Sequence, residues 1–198
     1  MGYERKDAHY RKARAAGYRA RSAYKLIELD RRFRLLRPGD RVVDLGAWPG
    51  AWMQVALERV GPGGRVVGLD LVEPAPLAGA TLVRGDVRDA SALDKLLEQL
   101  GGPATVVACD IAPKLTGVRH TDDARATELV AVVLDALQRL LRPGGRLVIK
   151  LFTNADQAGL IQRMRTMFEE VHTTRPEASR RGSSEVYAIA LGFRPSCG

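Results

Sequence analysis

The chain has 198 residues, of which 45% are apolar and 27% charged, a composition that supports one globular domain with a sizeable core. No apolar run approaches the ~20 residues that span a bilayer, and the basic first residues lack the apolar block of a secretory signal, so we predict a cytoplasmic protein. The two cysteines, Cys109 and Cys197, match neither a metal-ligand spacing nor a disulfide framework. These features argue against membrane-spanning, disulfide-stapled and wholly disordered proteins.

The positive charge is concentrated at the start of the chain. Residues 1–34 contain eleven Lys/Arg and four Asp/Glu, so this segment holds +7 of the net charge of +8. Aromatic residues are interleaved with these cations, which favours a surface that neutralises phosphates and stacks on bases. A solvated helix, a disordered tail or a contact with acidic membrane lipids are the alternatives. The expected nucleic-acid contacts are Arg11, Lys12, Arg14, Arg19 and Arg21.

Strand and helix patterns alternate after a helix predicted from Ser22 to Phe33. Short apolar runs predict strands at 41–46, 65–70, 81–86, 105–110 and 146–152. Helices are predicted at about 50–60, at 91–100 with Ser91 and Asp94 spaced as a capping box, and at 122–141. A further helix over 158–171, a strand over 170–174 and a last strand over 183–193 complete the pattern. This order predicts a doubly wound α/β fold with a parallel sheet.

Polar residues stand at the carboxyl ends of the predicted strands. In an open parallel sheet the ligand crevice lies at this edge. One aspartate there is often a loop cap, and one lysine often reaches from a strand end into water. Carboxylates at the ends of four successive strands, with a lysine near the end of the fifth, are better explained as a binding site. These residues are Asp44, Asp70, Asp86, Asp110 and Lys150.

The stretch "DLGAWPGAW" (44–52) predicts a glycine-bearing turn between the first strand and its helix. Glycines allow a ligand to approach the backbone, and a helix start offers free amides to an anionic group. Gly46 and Gly50 do not form the GxGxxG pattern, which disfavours a nicotinamide dehydrogenase. Asp70 is placed to grip ribose hydroxyls, a feature that several nucleotide-binding classes share.

Six motifs together resemble one family. "YRARSAYKLIELDRRF", "VVDLGAWPGAW", "GDVRD", "CDIAPKLTG", "GGRLVIKLF" and "SRRGSSEVYAIALGF" are similar to the successive motifs of FtsJ/RrmJ-type ribosomal RNA ribose 2′-O-methyltransferases, in the same order. The resemblance runs from about Gly17 to Phe193. It implies a Rossmann-like S-adenosylmethionine-dependent methyltransferase fold, with a mostly parallel sheet whose last strand is antiparallel.

The same resemblance implies the substrate and the site residues. The implied substrate is a uridine of large-subunit (23S) ribosomal RNA, within the large ribosomal subunit, and the implied cofactor is S-adenosyl-L-methionine. We expect residues 1–36 to form a basic helical extension packed on the core, residues 37–198 to form the methyltransferase domain, and the protein to act as a monomer. The implied catalytic residues are Lys25, Asp110, Lys150 and Glu185. The expected cofactor-binding residues are Asp44, Gly46, Gly50, Trp52, Asp70, Asp86 and Asp110.

Two residues depart from the family pattern. Trp48 stands where the family usually has a small residue, and Ala51 where a second glycine is common. The indole either packs under the loop or borders the site, so cofactor affinity is in question more than activity. The role of Lys150 is also open, because a neutral base and a charged group that orients the hydroxyl both fit the chemistry.

Three other functions remain open at this stage. A 2′-O-methyltransferase of transfer RNA would use the same motifs. A non-catalytic RNA-binding assembly factor is disfavoured because all four implied catalytic residues are present. A small-molecule methyltransferase would leave the basic segment without a use.

Overall fold

The computed structural model describes residues 8–72, 75–113, 116–179 and 182–195. The helices are α1 (Ala8–Ala15), α2 (Ala23–Phe33), α3 (Ala51–Val60), α4 (Ala90–Leu100), α5 (Arg119–Leu140) and α6 (Gln157–Met167). The strands are β1 (Arg41–Leu45), β2 (Arg65–Asp70), β3 (Ala80–Arg84), β4 (Ala104–Cys109), β5 (Leu141–Phe152), β6 (Phe168–Thr174) and β7 (Glu185–Phe193).

The seven strands form one sheet in the order β3-β2-β1-β4-β5-β7-β6. Strands β1 to β5 pair in parallel, and β7 is antiparallel to both of its neighbours. The predicted doubly wound sheet with an antiparallel last strand is therefore confirmed. In the antiparallel pair, Lys150 of β5 lies directly opposite Tyr187 of β7. The pairing places side chains of β7 beside those at the end of β5.

Helices cover both faces of the sheet and form two apolar cores. On one face, α4, α5 and α6 pack against the strands through residues such as Leu96, Leu134 and Met164. On the other face, α2 and α3 supply Leu26 and Trp52. The strands are apolar on both faces because both are buried, as expected for a parallel sheet. Polar groups are thus left for the strand ends.

The basic segment is anchored to the core by α2. Leu26 and Leu29 lie on the face of this helix that packs against the core, and both side chains are fully buried. The helix ends where Arg34 adopts a left-handed conformation, and the Asp30 carboxylate then accepts the Leu36 amide at 2.8 Å and the Arg59 Nε at 3.1 Å. With α2 fixed in this way, Lys25 in its first turn is held at a defined position over the sheet.

Several element boundaries differ from the sequence-based predictions, and three of these differences have a local cause. The Ser91/Asp94 capping box is wrong, because α4 begins at Ala90 and its cap is Asp89, whose carboxylate accepts the Ser91 amide. The long helix begins at Arg119, since the Asp122 side chain binds back to the Thr116 amide. The predicted helix over 158–171 stops at Met167, because the chain enters β6 and buries Phe168 against Phe193.

The described cysteine is not part of a disulfide, and the described helices are not membrane spans. Cys109 is a buried free thiol, and burial raises its pKa to about 12. Cys197 lies outside the described residues. Among the helices of the described ranges, none is both long and apolar enough to cross a bilayer.

Candidate active site

A cavity of about 540 Å³ opens at the carboxyl ends of the strands. Of the residues predicted to bind a cofactor, Gly46, Asp70, Asp86 and Asp110 line this cavity. They follow or end β1, β2, β3 and β4, so the sheet order brings them to one edge. Residues of α5, including Arg125 and Leu129, form the opposite wall. The cavity is long enough to contact four strands and one helix.

The turn after β1 approaches the next loop too closely for a side chain. Gly46 has a φ of +80°, and a Cβ there would lie 2.7 Å from Cγ1 of Ile111. The Trp48 amide donates to Oδ2 of Asp70 at 2.9 Å, and the Val72 amide donates to Oδ1 at 2.9 Å. Each carboxylate oxygen keeps further acceptor capacity toward the cavity. Asp70 therefore stabilises two walls and remains able to bind hydroxyl groups.

The indole of Trp48 borders the cavity and is 59% exposed. It does not pack under the loop, which was one of the two alternatives for this departure from the family pattern. Leu71 and Val72, also exposed, lie on the same rim. The mouth of the cavity is thus apolar and aromatic.

Arg88 connects two walls at the β3 end of the cavity. Its amide donates to Oδ1 of Asp86 at 2.9 Å, and its guanidinium lies 3.4 Å from Oδ2 of Asp86 and 3.7 Å from Oε1 of Glu128 on α5. The amide bond orients the Asp86 carboxylate at the cavity. The guanidinium contact with Glu128 joins this loop to the wall formed by α5.

Asp44 is buried beneath the cavity floor. Within the described part of the chain, neither of its carboxylate oxygens has a hydrogen-bond partner. Burial raises the pKa of this carboxyl well above its ordinary value, and the charges of Asp110 and Asp70 raise it further. The raised pKa favours the neutral form of Asp44, which lies beneath the carboxylates of Asp70 and Asp110. A ligand with a positive charge would complement such a floor.

This burial predicts a particular pH dependence of stability. At pH values between the ordinary pKa of 3.8 and the raised one, the folded protein keeps a proton that the unfolded chain has lost. Stability from Asp44 is therefore present below the ordinary pKa and declines as pH rises. Urea unfolding of the cofactor-free protein should show that Asp44→Asn gains stability relative to the wild type with rising pH, by at most about 1.4 kcal/mol per pH unit. A difference that stays constant from pH 5 to pH 8 would contradict this prediction.

The four residues implied as catalytic meet at the β4 end of the cavity. Lys150 Nζ donates to the Asp110 carbonyl at 2.7 Å and lies 3.1 Å from Oδ1 of the same residue. Lys25 Nζ, from α2, lies 2.8 Å from Oε2 of Glu185. Both lysines are buried, whereas both carboxylates are partly exposed. Asp110 belongs to this cluster and to the cavity lining, so the two sites are joined.

Tyr187 links the two ion pairs and was not predicted as a site residue. Its hydroxyl donates to Oδ1 of Asp110 at 2.7 Å and accepts from Lys25 Nζ at 3.0 Å. Burial and then the charge of Asp110 raise the pKa of this phenol, which keeps its proton for the bond to Asp110. A signal was available in the sequence. Tyr187 stands two residues after Glu185 in a predicted strand, so their side chains share a face.

Glu185 is ionised beside its lysine. Burial alone would raise its pKa, but the hydrogen bond and charge of Lys25, with the charge of Lys150, bring the pKa below its ordinary value. The cluster contains two lysines and two carboxylates, which the hydroxyl of Tyr187 joins. The hydrogen bonds of this cluster fix the position of each side chain.

Two other predicted cofactor residues lie outside the cavity wall. Trp52 is buried in the core between α3 and β7, where its Nε1 donates to the Ser22 carbonyl at 2.9 Å and its ring centroid lies 5.9 Å from that of Tyr187. Gly50 caps α3 with a φ of +102°, and its open side is filled by Arg19. Trp52 therefore contacts the site through Tyr187, and Gly50 contacts Arg19.

The predicted nucleic-acid contacts fall into two groups. Arg11, Lys12 and Arg14 are exposed on α1, and Lys12 Nζ lies 5.1 Å from the ring centroid of Tyr24. Arg19 and Arg21 are half-buried in the segment between α1 and α2. The exposed group is available to a polyanion near the helix that carries Lys25.

A seven-stranded sheet with an antiparallel β7 between β5 and β6, and a cavity lined by acids at the strand ends, defines a Rossmann-like methyltransferase. Residues 18–193 match the family model described as FtsJ-like methyltransferase. The chain therefore belongs to the FtsJ-like methyltransferase family, as its motifs predicted.

Relatives cover nearly the whole chain. It is 48% identical to the ribosomal RNA large subunit methyltransferase E of Acidiphilium cryptum over 189 residues, which are 96% of this chain and 83% of the relative. It is 40% identical to the protein of that name from Methanobrevibacter smithii over 191 residues, 96% of this chain and 91% of the relative.

Solved structures share the fold. A ribosomal RNA methyltransferase of Plasmodium falciparum is similar with a TM-score of 0.82 and 27% identity, covering 90% of this chain and 100% of that one. The fibrillarin of Aeropyrum pernix, solved with natively bound S-adenosyl-L-methionine, has a TM-score of 0.59 and 18% identity over 86% of this chain and 76% of its own. The second likeness concerns the fold alone.

Proposed function

We propose that the protein transfers a methyl group from S-adenosyl-L-methionine to a ribose 2′-hydroxyl of large-subunit (23S) ribosomal RNA, with a uridine as the target and the large ribosomal subunit as the setting. The observation that carries this proposal is Lys150, which is held by Asp110 at the junction of the cavity and the cluster of ion pairs. The names of the relatives from Acidiphilium and Methanobrevibacter support the choice of RNA.

The cavity fits the proposed cofactor in shape and charge. Asp70 offers carboxylate oxygens suited to ribose hydroxyls, and Asp86 lies at the far end beside the apolar Val87. The carboxylates of Asp70, Asp86 and Asp110, which line the cavity, suit a ligand that carries an ammonium and a sulfonium. When bound, S-adenosyl-L-methionine supplies an electrophilic methyl group.

Lys150 serves as the proton acceptor in this proposal. An ammonium has three N–H donors, and two of those of Lys150 face the Asp110 carbonyl and carboxylate. After loss of one proton, the remaining two N–H groups still satisfy Asp110, and the lone pair takes the third direction. A ribose hydroxyl at that third position would be oriented and deprotonated by the same nitrogen.

The other members of the cluster hold this lysine in place. Tyr187 donates to Asp110 and so fixes the carboxylate that orients Lys150. Lys25 and Glu185 border the same space from α2 and β7, where their donors and acceptors suit the ribose and its phosphate. In this proposal residues 1–36 form the RNA-facing extension, although residues 1–7 lie outside the described part of the chain. Residues 37–198 form the methyltransferase domain, and the protein works as a monomer.

The proposal is tested by the source of the accepting RNA. Purified protein with methyl-labelled cofactor should label 23S ribosomal RNA, or large subunits, from cells that lack the gene. It should leave the same RNA from wild-type cells unlabelled, because the position is already methylated. Label in transfer RNA, or equal label in both ribosomal preparations, would contradict the proposal.

The cofactor assignment predicts the behaviour of Asp70→Ala. Loss of charge-assisted hydrogen bonds should weaken S-adenosyl-L-methionine binding by roughly tenfold or more in calorimetry. Glu98→Ala, on the exposed side of α4, is the matched control and should bind as the wild type does. Unchanged affinity of Asp70→Ala would remove Asp70 from the site.

A further inference from the structure

Arg19 was predicted to contact nucleic acid, yet its guanidinium binds backbone carbonyls of the chain itself. Nη1 donates to the carbonyls of Pro49 at 3.2 Å and Ala75 at 2.6 Å, and Nη2 donates to the carbonyl of Pro76 at 2.6 Å. Three of the five N–H donors of this side chain thus bind backbone oxygens. Little of the fork is left for a phosphate.

These carbonyls belong to two walls of the cavity. Pro49 lies in the turn whose residues Gly46 and Trp48 line one wall. Ala75 and Pro76 lie in the chain that follows Leu71 and Val72, which line the next wall. The two walls are also joined by the bond from the Trp48 amide to Asp70 and by bonds from the Gly46 and Ala47 amides to the Leu69 carbonyl. Arg19 therefore adds side-chain hydrogen bonds between the turn at Pro49 and the chain at Ala75 and Pro76, which the bonds to Leu69 and Asp70 do not reach.

The space that this guanidinium occupies depends on a glycine in the turn. A Cβ on Gly50 would lie 2.8 Å from Nη1 of Arg19, so the glycine leaves room for the arginine. This contact gives a reason for Gly50 that does not involve a ligand touching it. A side chain at this position would push Arg19 away from the Pro49 carbonyl.

The backbone around Arg19 is also fixed to α3. The Arg19 amide donates to Oε1 of Gln54 at 2.8 Å, and Nε2 of Gln54 donates to the Gly17 carbonyl at 2.9 Å. The Tyr18 hydroxyl donates to Oε2 of Glu58 at 2.8 Å. Because the backbone of residues 17–19 is fixed to α3, the guanidinium of Arg19 has a defined position and can set the distance between the two walls.

We propose that Arg19 is a positioning residue of the cofactor site, which holds the turn at Pro49 and the loop at Ala75 and Pro76 together. This inference rests on the proposed function, since it assumes that S-adenosyl-L-methionine occupies the cavity. It reassigns Arg19 from the RNA surface to the cofactor cavity. Its basic neighbours on α1 keep their proposed contact with RNA.

The test compares cofactor affinity with RNA affinity in the same variants. Calorimetry with S-adenosyl-L-methionine should show binding about tenfold weaker or more for Arg19→Ala, and an intermediate loss for Arg19→Lys, whose ammonium cannot reproduce the planar fork. Arg165→Ala, an exposed arginine on α6, is the charge-matched control and should bind as the wild type does. The salt dependence of RNA affinity should be the same for Arg19→Ala as for the wild type.

A kinetic measurement separates positioning from general damage. In Arg19→Ala the KM for the cofactor should rise, while kcat at saturating cofactor stays within about twofold of the wild type. If Arg19→Ala does not fold, Arg19→Lys is judged by the same measurements. Wild-type cofactor affinity in Arg19→Ala, or an RNA salt slope flattened by about one unit, would overturn the inference. Failure of the wild type to bind the cofactor would instead refute the proposed function.

Discussion

Replacing Lys150 with methionine is expected to lower the single-turnover rate of methyl transfer by about 10²- to 10⁴-fold. Methionine keeps the length of the buried stem but removes the nitrogen that faces the hydroxyl. Affinity for S-adenosyl-L-methionine should stay within a few-fold of the wild type, because the cavity is lined by Asp110 and not by Lys150 itself. Calorimetry and a single-turnover assay on the same preparation separate the two effects.

Lys95→Met, on the exposed side of α4, is the matched control and should transfer methyl groups at the wild-type rate. A base must lose its proton before it acts, so the logarithm of the wild-type rate should rise by about one unit per pH unit through neutral pH. A flat profile would leave Lys150 as a charged residue that orients the hydroxyl. Substantial turnover in Lys150→Met would show that the residue is structural.

The exposed cations of α1 are expected to govern RNA affinity. Changing Arg11, Lys12 and Arg14 together to alanine should weaken RNA binding and flatten the slope of log affinity against log salt by about 2 to 3 units, since each phosphate contact contributes roughly 0.7 to 0.9. Cofactor affinity should not change, because these side chains lie on α1, away from the cavity lining. Filter binding over a range of salt concentrations measures the slope.

A triple variant elsewhere controls for the loss of charge itself. Lys95, Arg142 and Arg165 are exposed on α4, β5 and α6, and their replacement by alanine removes the same three charges. This control should keep a salt slope near that of the wild type. If the α1 variant also keeps its slope, the RNA surface lies elsewhere, and Arg175 beyond β6 is the next candidate.

Strand ends were predictable because burial imposes a simple pattern. Each parallel strand is apolar on both faces, so the first polar residue, such as Asp70 or Asp110, marks the place where the strand leaves the core. Sheet order then brings these residues to one edge. The grouping of Lys25 and Glu185 with them followed from the family resemblance, because neither residue stands at the end of a parallel strand.

Contacts between distant segments were not predictable from patterns. The guanidinium of Arg19 donates to the carbonyls of Pro49 and Ala75. Because every residue has a backbone carbonyl, the sequence does not show which carbonyls accept a hydrogen bond. Trp52 was assigned to the cofactor but serves the core, since a family motif reports that a residue matters without saying what it touches. Tyr187 could have been found from its two-residue spacing to Glu185.

The position of the transferred methyl group tests the account most directly. RNA labelled by the purified protein should be hydrolysed in alkali and the products separated. Because a methylated 2′-oxygen cannot attack the adjacent phosphate, the account predicts that the label is recovered in a single alkali-stable dinucleotide. Label recovered in mononucleotides, as a methylated base would give, would contradict it.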